Sequence, residues 1–318
     1  MSAPRARLAT LALLLAPALM PASGEAQPAT TRELEVEGVR LHVALDETEF
    51  STGAPVLLEW IERSLHIVAH YYGAFPVREL TIRVLPGPRG GVGGGTTFGA
   101  PRALIRVRVG RGADAATLRN DWVLVHEMTH LALPEVGEEH AWLSEGLATY
   151  VEGVARVQAG NRTAADVWAE DLRSMPRGLP QPGDRGLDHT HTWGRTYWGG
   201  ALFCLLADIE IRQRTANRQG LQQALRAIAR ESGGLGTQWP IDRVFATGDR
   251  AVGTRVLEEL YASMKDAPVA TDLPALWRRL GIEADGDTVR VHEDAPLAPI
   301  RWAILGEPPK EALSPRAP

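Results

Sequence analysis

Five residues carry the chemistry that this sequence suggests. His126-Glu127-Met128-Thr129-His130 matches H-E-x-x-H, and Glu145 follows fifteen positions past His130. Residues four apart share one face of a helix, so His126 and His130 can aim two imidazoles at one point. Glu127, one position along, flanks that point. Two neutral His nitrogens and one carboxylate oxygen make a tetrahedral site for one Zn²⁺ ion, with the fourth position open to water. The fifth residue is Tyr197, in Thr196-Tyr197-Trp198-Gly199-Gly200, a phenol suited to stabilising an oxyanion. This set predicts hydrolysis by metal-activated water, with Glu127 as general base.

Other reactive-looking residues carry less. His66 and His70 are also four apart, but no acid stands beside them as Glu127 does, so they read as surface or core histidines. His189 and His191 precede Tyr197; they are either donors near the metal or loop histidines without a role. Cys204 is the one cysteine of the chain, so no intramolecular disulfide can form, and its apolar neighbours predict an inert core thiol. The glycine-rich stretch 86–99 has neither a terminal G-K-[ST] nor a G-x-G-x-x-G, which excludes a phosphate cradle. There is no G-x-S-x-G to support a serine hydrolase.

Helices must position the five residues. The H-E-x-x-H motif falls on a helix predicted over 118–133, stopped by Pro134. A second helix over 141–157, antiparallel to the first, would carry Glu145 to the two histidines. After a Pro/Gly-rich connection at 175–194, a long helix over 196–215 carries Tyr197. Upstream, alternating apolar residues predict two strands over 33–45 with a turn at Glu37-Gly38, and a third strand at Leu80, Ile82 and Val84. Between them Leu57, Ile61, Leu65, Val68 and Tyr72 give a helix one apolar stripe, closed by Gly73. The stretch 86–99 reads as a mobile loop leading into a strand at 103–109. That strand is either an edge open to an extended peptide or a solvated hairpin tip. Further helices are expected at 221–230, 250–264 and 273–280, then a strand pair at 288–291 and 301–304. The Pro-rich tail from Glu307 is assigned no structure.

The chain has 318 residues, 44% of them apolar and 23% charged, as in ordinary globular proteins. The net charge of -5 argues against nucleic acid as the main partner. Arg5 and Arg7, an apolar run over 8–19, and the small residues of Gly24-Glu25-Ala26 predict a cleaved signal peptide at 1–26. A secreted or periplasmic protein follows, with no membrane span after signal cleavage. The oligomeric state is not legible.

The run 126–148 and the segment Tyr197-Trp198-Gly199-Gly200-Ala201-Leu202 resemble the gluzincin clan of metallopeptidases, nearest to peptidase MA-like proteins and glycyl aminopeptidases. Trp142-Leu143-Ser144-Glu145-Gly146-Leu147-Ala148 fits their W-L-[NS]-E-G-[FL]-A, and Asp208-Ile209-Glu210-Ile211-Arg212 their D-x-x-[IL]-R. Leu276-Trp277-Arg278-Arg279-Leu280-Gly281-Ile282 is similar to a late helix of that group. The resemblance covers 115–215 strongly, extends more weakly to about 285, and is slight before 100. It implies an α+β fold: a thermolysin-like catalytic domain, an N-terminal mixed sheet and a mainly helical C-terminal region. The implied division is 27–114 for the sheet and first helix, 115–215 for the zinc-binding core, and 216–318 for the helical remainder with its terminal strand pair. It also implies that His126, His130 and Glu145 bind zinc, that Glu127 is general base and acid, and that Tyr197 stabilises the tetrahedral intermediate.

Three departures from the family pattern stand out. Thermolysin-like members carry a second acid one turn after the ligand Glu, where this chain has Thr149; Glu152 is either its stand-in or a plain surface acid. Aminopeptidases of the clan have a G-x-M-E-N motif whose Glu grips the substrate amine. The corresponding stretch here, Gly93-Gly94-Gly95-Thr96-Thr97-Phe98-Gly99, has no acid. Gly199 stands where the clan often has Lys or Arg, with Arg195 upstream as a substitute. These features favour an endopeptidase or oligopeptidase acting on peptide or protein substrates. An aminopeptidase, and a catalytically silent metal-stabilised binding protein, are the alternatives.

Overall fold

A computed structural model describes residues 30–88 and 90–306 of the chain. The expected signal peptide and the tail from Glu307 lie outside the described residues. The chain opens with β1 (Thr30–Val36), β2 (Val39–Leu45), α1 (Ala54–Tyr72), β3 (Glu79–Gly87), β4 (Val92–Phe98) and β5 (Leu104–Gly110). Eight of the helices that follow are α2 (Ala115–Arg119), α3 (Val123–His130), α4 (Ala141–Gln158), α5 (Ala164–Ser174), α6 (Gly200–Arg214), α7 (Leu221–Ser232), α8 (Ile241–Val252) and α9 (Val256–Met264). The described chain closes with α10 (Leu273–Leu280), the hairpin β6 (Ile282–Asp285) and β7 (Thr288–Val291), and α11 (Ala298–Leu305). This is a mixed α/β architecture with an N-terminal mixed sheet and a long helical remainder, as expected.

The five-stranded sheet has the order β1-β2-β3-β5-β4. β1 and β4 are antiparallel to their neighbours, while β2, β3 and β5 run parallel. Leu41, Val43, Ile82, Val84, Ile105 and Val107 point to one face and are buried. Against that core α1 lays Leu57, Trp60, Ile61, Leu65 and Val68. One connected set of buried apolar side chains runs from the sheet through α3, α4 and α6 to α11.

The structure corrects four expectations. The stretch 92–98 is not a mobile loop but the edge strand β4, and the strand over 104–110 is therefore interior. Ladder pairing uses only backbone groups, so glycines can take part; a register shift between Val92 and Gly94 absorbs their irregularity. The motif helix is shorter than expected, because Asp121 starts a new helix: its carboxylate accepts from Val123 N at 3.0 Å and Leu124 N at 3.1 Å. The single helix expected at 250–264 is two, split where Gly253 takes φ 73° and Asp249 caps α9 through the backbone N–H groups of Leu257 and Glu258. The segment around Arg301 is helical, opened by Pro299 and closed by Gly306 at φ 74°, and the true partner of β7 is β6. Among the described residues no helix is long and apolar enough to cross a membrane.

Candidate metal centre

α3 and α4 deliver the three predicted ligands to one point. His126 and His130 lie on one face of α3, and Glu145 sits in the first turns of α4. One ligand atom from each lies within 4.8 Å of the other two, which holds for no other group of three such residues among those described. Glu145 Oε2 is 3.2 Å from His126 Nε2 and 3.7 Å from His130 Nε2. Ligands about 2.0–2.2 Å from a tetrahedral zinc ion stand roughly 3.3–3.6 Å apart. The spacing and the N, N, O donor set therefore fit zinc.

The protonation states suit the same role. Burial, with His126 adding to it, pushes His130 down to about 4, so its imidazole is neutral and its lone pair is available. Burial pushes Glu145 up, but the hydrogen bond with His126, the electrostatic contact with the two imidazoles and the Tyr197 hydroxyl outweigh it, so the net shift is downward. His130 Nδ1 lies 3.0 Å from the Ser144 hydroxyl, which fixes the ring and leaves Nε2 facing Glu145. His126 Nδ1 is buried without a protein hydrogen-bond partner. Glu152 does not supply one: it is buried in an ion pair with Arg156 at 2.6 Å. Ser144 was inside the recognised motif, yet its contact depends on the α3–α4 crossing and had no separate signal.

Glu127 is held from the edge strand. The Thr97 hydroxyl is 2.6 Å from Glu127 Oε2 and 2.9 Å from its backbone oxygen. Gly95, also on β4, makes room: a Cβ there would lie 2.5 Å from Glu127 Cγ. Burial raises the Glu127 carboxyl and the Thr97 hydrogen bond opposes that rise. Sequence reasoning missed both residues, because nothing local pairs 95 and 97 with 127.

Tyr197 enters from the opposite side. Residues Arg195–Gly199 form a π-helical turn that runs directly into α6. The Tyr197 ring stacks on His126 at 6.2 Å between centroids and on Trp193 at 5.7 Å. Burial and the neighbouring Glu145 carboxylate push its phenol up to about 12, so the O–H persists through neutral pH. The crossing of α4 with α6 makes this possible. A Cβ on Gly146 would lie 2.2 Å from Gly200 Cα, and one on Gly200 would lie 2.0 Å from the Trp142 oxygen. Glu145 and Tyr197 are neighbours of these glycines in sequence, so the contact sets their separation.

A cleft of about 400 Å³ covers the triad, with β4 residues 94–97 on one wall, Trp122, Tyr197 and Leu235 on others, and Glu127 and Glu145 as its acids. His189, His191 and Arg195 do not line it. His189 pairs with Asp266 at 2.8 Å, and Arg195 is buried against Asp184 at 2.7 Å. His66 pairs with Glu37 at the surface. Cys204 is buried, and that burial raises its thiol, as expected for an inert core residue.

No protein-family model matches the chain, and no curated protein is similar to it in sequence. Solved structures do match. An aminopeptidase N family protein from Idiomarina loihiensis superposes with a TM-score of 0.59 at 13% identity, over 84% of this chain and 53% of that one. A mutant two-domain M1 zinc metallopeptidase bound to L-arginine gives 0.52 at 16%, over 78% and 54%. A mutant M1 zinc metallopeptidase from Deinococcus radiodurans bound to a Tyr-Ser-Ala substrate gives 0.50 at 15%, over 78% and 54%. The chain spans about half the length of these structures. It has the fold of the M1 zinc metallopeptidases and carries within it a His-His-Glu triad compatible with the gluzincin HExxH…E motif.

Proposed function

We propose that this protein is a peptidase that binds one zinc ion through His126, His130 and Glu145 and hydrolyses peptide bonds. The observation that carries the reading is the convergence of the three ligand atoms within 4.8 Å of one another, in a cleft that also contains Glu127 and Tyr197. When bound, zinc supplies a Lewis acid and lowers the pKa of a water from about 15.7 to about 7. Glu127 takes the proton of the attacking water and returns it to the leaving amine, with Thr97 fixing which carboxylate oxygen faces the cleft. The Tyr197 O–H donates to the developing oxyanion, a contribution of about 3 kcal/mol for donors of this kind. The leader-like residues 1–26 support an exported protein.

Within that activity, an endopeptidase or oligopeptidase is favoured by the edge strand. Gly94, Gly95, Thr96 and Thr97 line the cleft, and none of them can hold a substrate ammonium as a carboxylate does. The aminopeptidase reading is supported by the solved relatives, one named for aminopeptidase N and others bound to a single amino acid or a tripeptide. Zinc-loaded wild type should cleave a peptide library and Glu127→Gln should not. Wild-type turnover by Glu127→Gln would refute the mechanism. Comparing each cleaved peptide with its N-acetylated form decides between the two readings, because an aminopeptidase loses activity when the amine is blocked.

A further inference from the structure

A second cavity, of about 770 Å³, lies beside the catalytic cleft and shares Trp122, His126 and Tyr197 with it. A chain laid across the triad therefore passes its opening. Two of the least buried tryptophans of the protein, Trp122 and Trp193, line this cavity at 51% and 58% exposure. Val167 and Trp168, both buried, also belong to its lining.

Two ion pairs neutralise part of the charge of the lining. Glu152 and Arg156 form a buried pair at 2.6 Å, and Arg162 pairs with Glu170 at 2.7 Å. Asp166 accepts from the Thr163 hydroxyl and lies in the first turn of α5. Arg173 and Arg177 are exposed, donating to the Asp287 carbonyl and the Ser174 hydroxyl respectively. Asp171 is half-buried and has neither a hydrogen bond nor an ion pair among the described residues. Arg162 is the cation that acts on it, and that cation is already paired with Glu170, so the carboxyl has no counter-charge of its own in direct contact.

We propose that this cavity is a substrate subsite that takes a cationic side chain, arginine or lysine, with Asp171 as its counter-charge and the exposed tryptophans as its aromatic entrance. The assignment as a substrate subsite rests on the peptidase reading above. Burial, with Glu170 and Glu152 adding to it and Arg162 opposing it, pushes the Asp171 carboxyl up to about 8, and an entering cation opposes that rise. A neutral side chain would leave the carboxyl protonated, and an acidic one would hold that proton more tightly; only a cation favours the carboxylate. The entrance suits a guanidinium in particular: Arg177 already holds one over the Trp193 ring, 5.9 Å from its centroid.

The test compares N-acetylated pentapeptide amides with a central arginine, with citrulline, its uncharged isostere, and with glutamate. Their binding to zinc-loaded Glu127→Gln, which cannot turn them over, is measured by calorimetry. The arginine peptide should bind about ten-fold tighter, the order expected of one charge-assisted contact. Adding Asp171→Asn should erase the difference, and Asp171→Ser serves if Asn does not fold. Equal affinities, a preference that survives both Asp171 variants, or tighter binding of a glutamate peptide overturns the proposal. Cleavage by wild type reports separately on the parent reading. A protein that cleaves the arginine and citrulline peptides without discrimination is a peptidase lacking this subsite. One that cleaves neither yet binds arginine through Asp171 keeps the subsite and loses the peptidase assignment.

Discussion

Gly146→Ala isolates the contact on which the metal centre depends. Its added Cβ would lie 2.2 Å from Gly200 Cα, 2.3 Å from Gly200 C and 2.6 Å from Ala201 N. Carbon atoms settle about 3.5–4.0 Å apart, so α4 and α6 must part by roughly 1.3 Å or more. The obstructing atoms are backbone, and no rotamer change relieves them. Overpacking costs about 1–3 kcal/mol, and the upper end applies where no side chain can move. Alanine recovers about 1 kcal/mol of helix propensity, leaving a net loss of about 2 kcal/mol. For a chain of this size, with an unfolding entropy of about 2.1 cal/mol/K per residue, that is a fall in Tm of roughly 3 °C. The functional cost is larger, because Glu145 precedes Gly146 and Tyr197 lies three residues before Gly200. A shift of about 1 Å at such groups can cost about 100-fold in turnover. Gly153→Ala, on the same helix, is the control: its Cβ would meet a Val167 methyl at 3.2 Å, which a side chain can accommodate. Thermal unfolding followed by circular dichroism and kcat on a cleaved peptide would be measured for both. A Gly146→Ala protein with wild-type Tm and kcat would show that the helix crossing does not position the site.

The other predictions concern single contacts. Thr97→Val should lower kcat about ten-fold with little change in KM, while Thr97→Ser restores it, since only the hydroxyl reaches Glu127. An equal loss in the serine variant would mean that the methyl packs and the hydroxyl does not position. Ser144→Ala should weaken zinc binding by about 10-fold, read by chelator competition, because His130 loses the partner of its Nδ1; unchanged affinity refutes that role. Asp171 holds its proton up to about 8 in the folded state, against about 3.9 unfolded, so wild-type stability should fall as pH rises between those values and level off above. Asp171→Asn is neutral throughout, so its Tm advantage over wild type should grow from pH 5 to pH 8.5; a pH-independent difference contradicts the unpaired state of Asp171.

Much of the site was legible because its key spacings are local. His126 and His130 share a helical face by periodicity alone, and the Trp142–Ala148 motif named Glu145 before any coordinates placed it. The π turn carrying Tyr197 falls where a helix was expected. The regular alternation of β1 to β3 and the stripe of α1 were equally readable, since burial on one face repeats every two or about 3.6 residues. Errors gathered where local signals compete. Glycines hid β4 because strand propensity reports side-chain packing, whereas β4 is held by backbone pairing to β5. The stretch 250–264 reads as one helix in the sequence, but Gly253 and the Asp249 cap divide it.

The sequence by itself determined the candidate donor set, the proposed base and the order in which helices present them, because each is a matter of residue type and short spacing. Tertiary structure alone decided how the set is held. Thr97 reaches Glu127 across thirty positions, and Gly146 meets Gly200 across fifty-four. Asp171 forms no ion pair among the described residues, because Arg156 and Arg162 are taken by Glu152 and Glu170. Such contacts join residues distant in the chain and depend on how helices cross and which charges are already paired. No local periodicity records either.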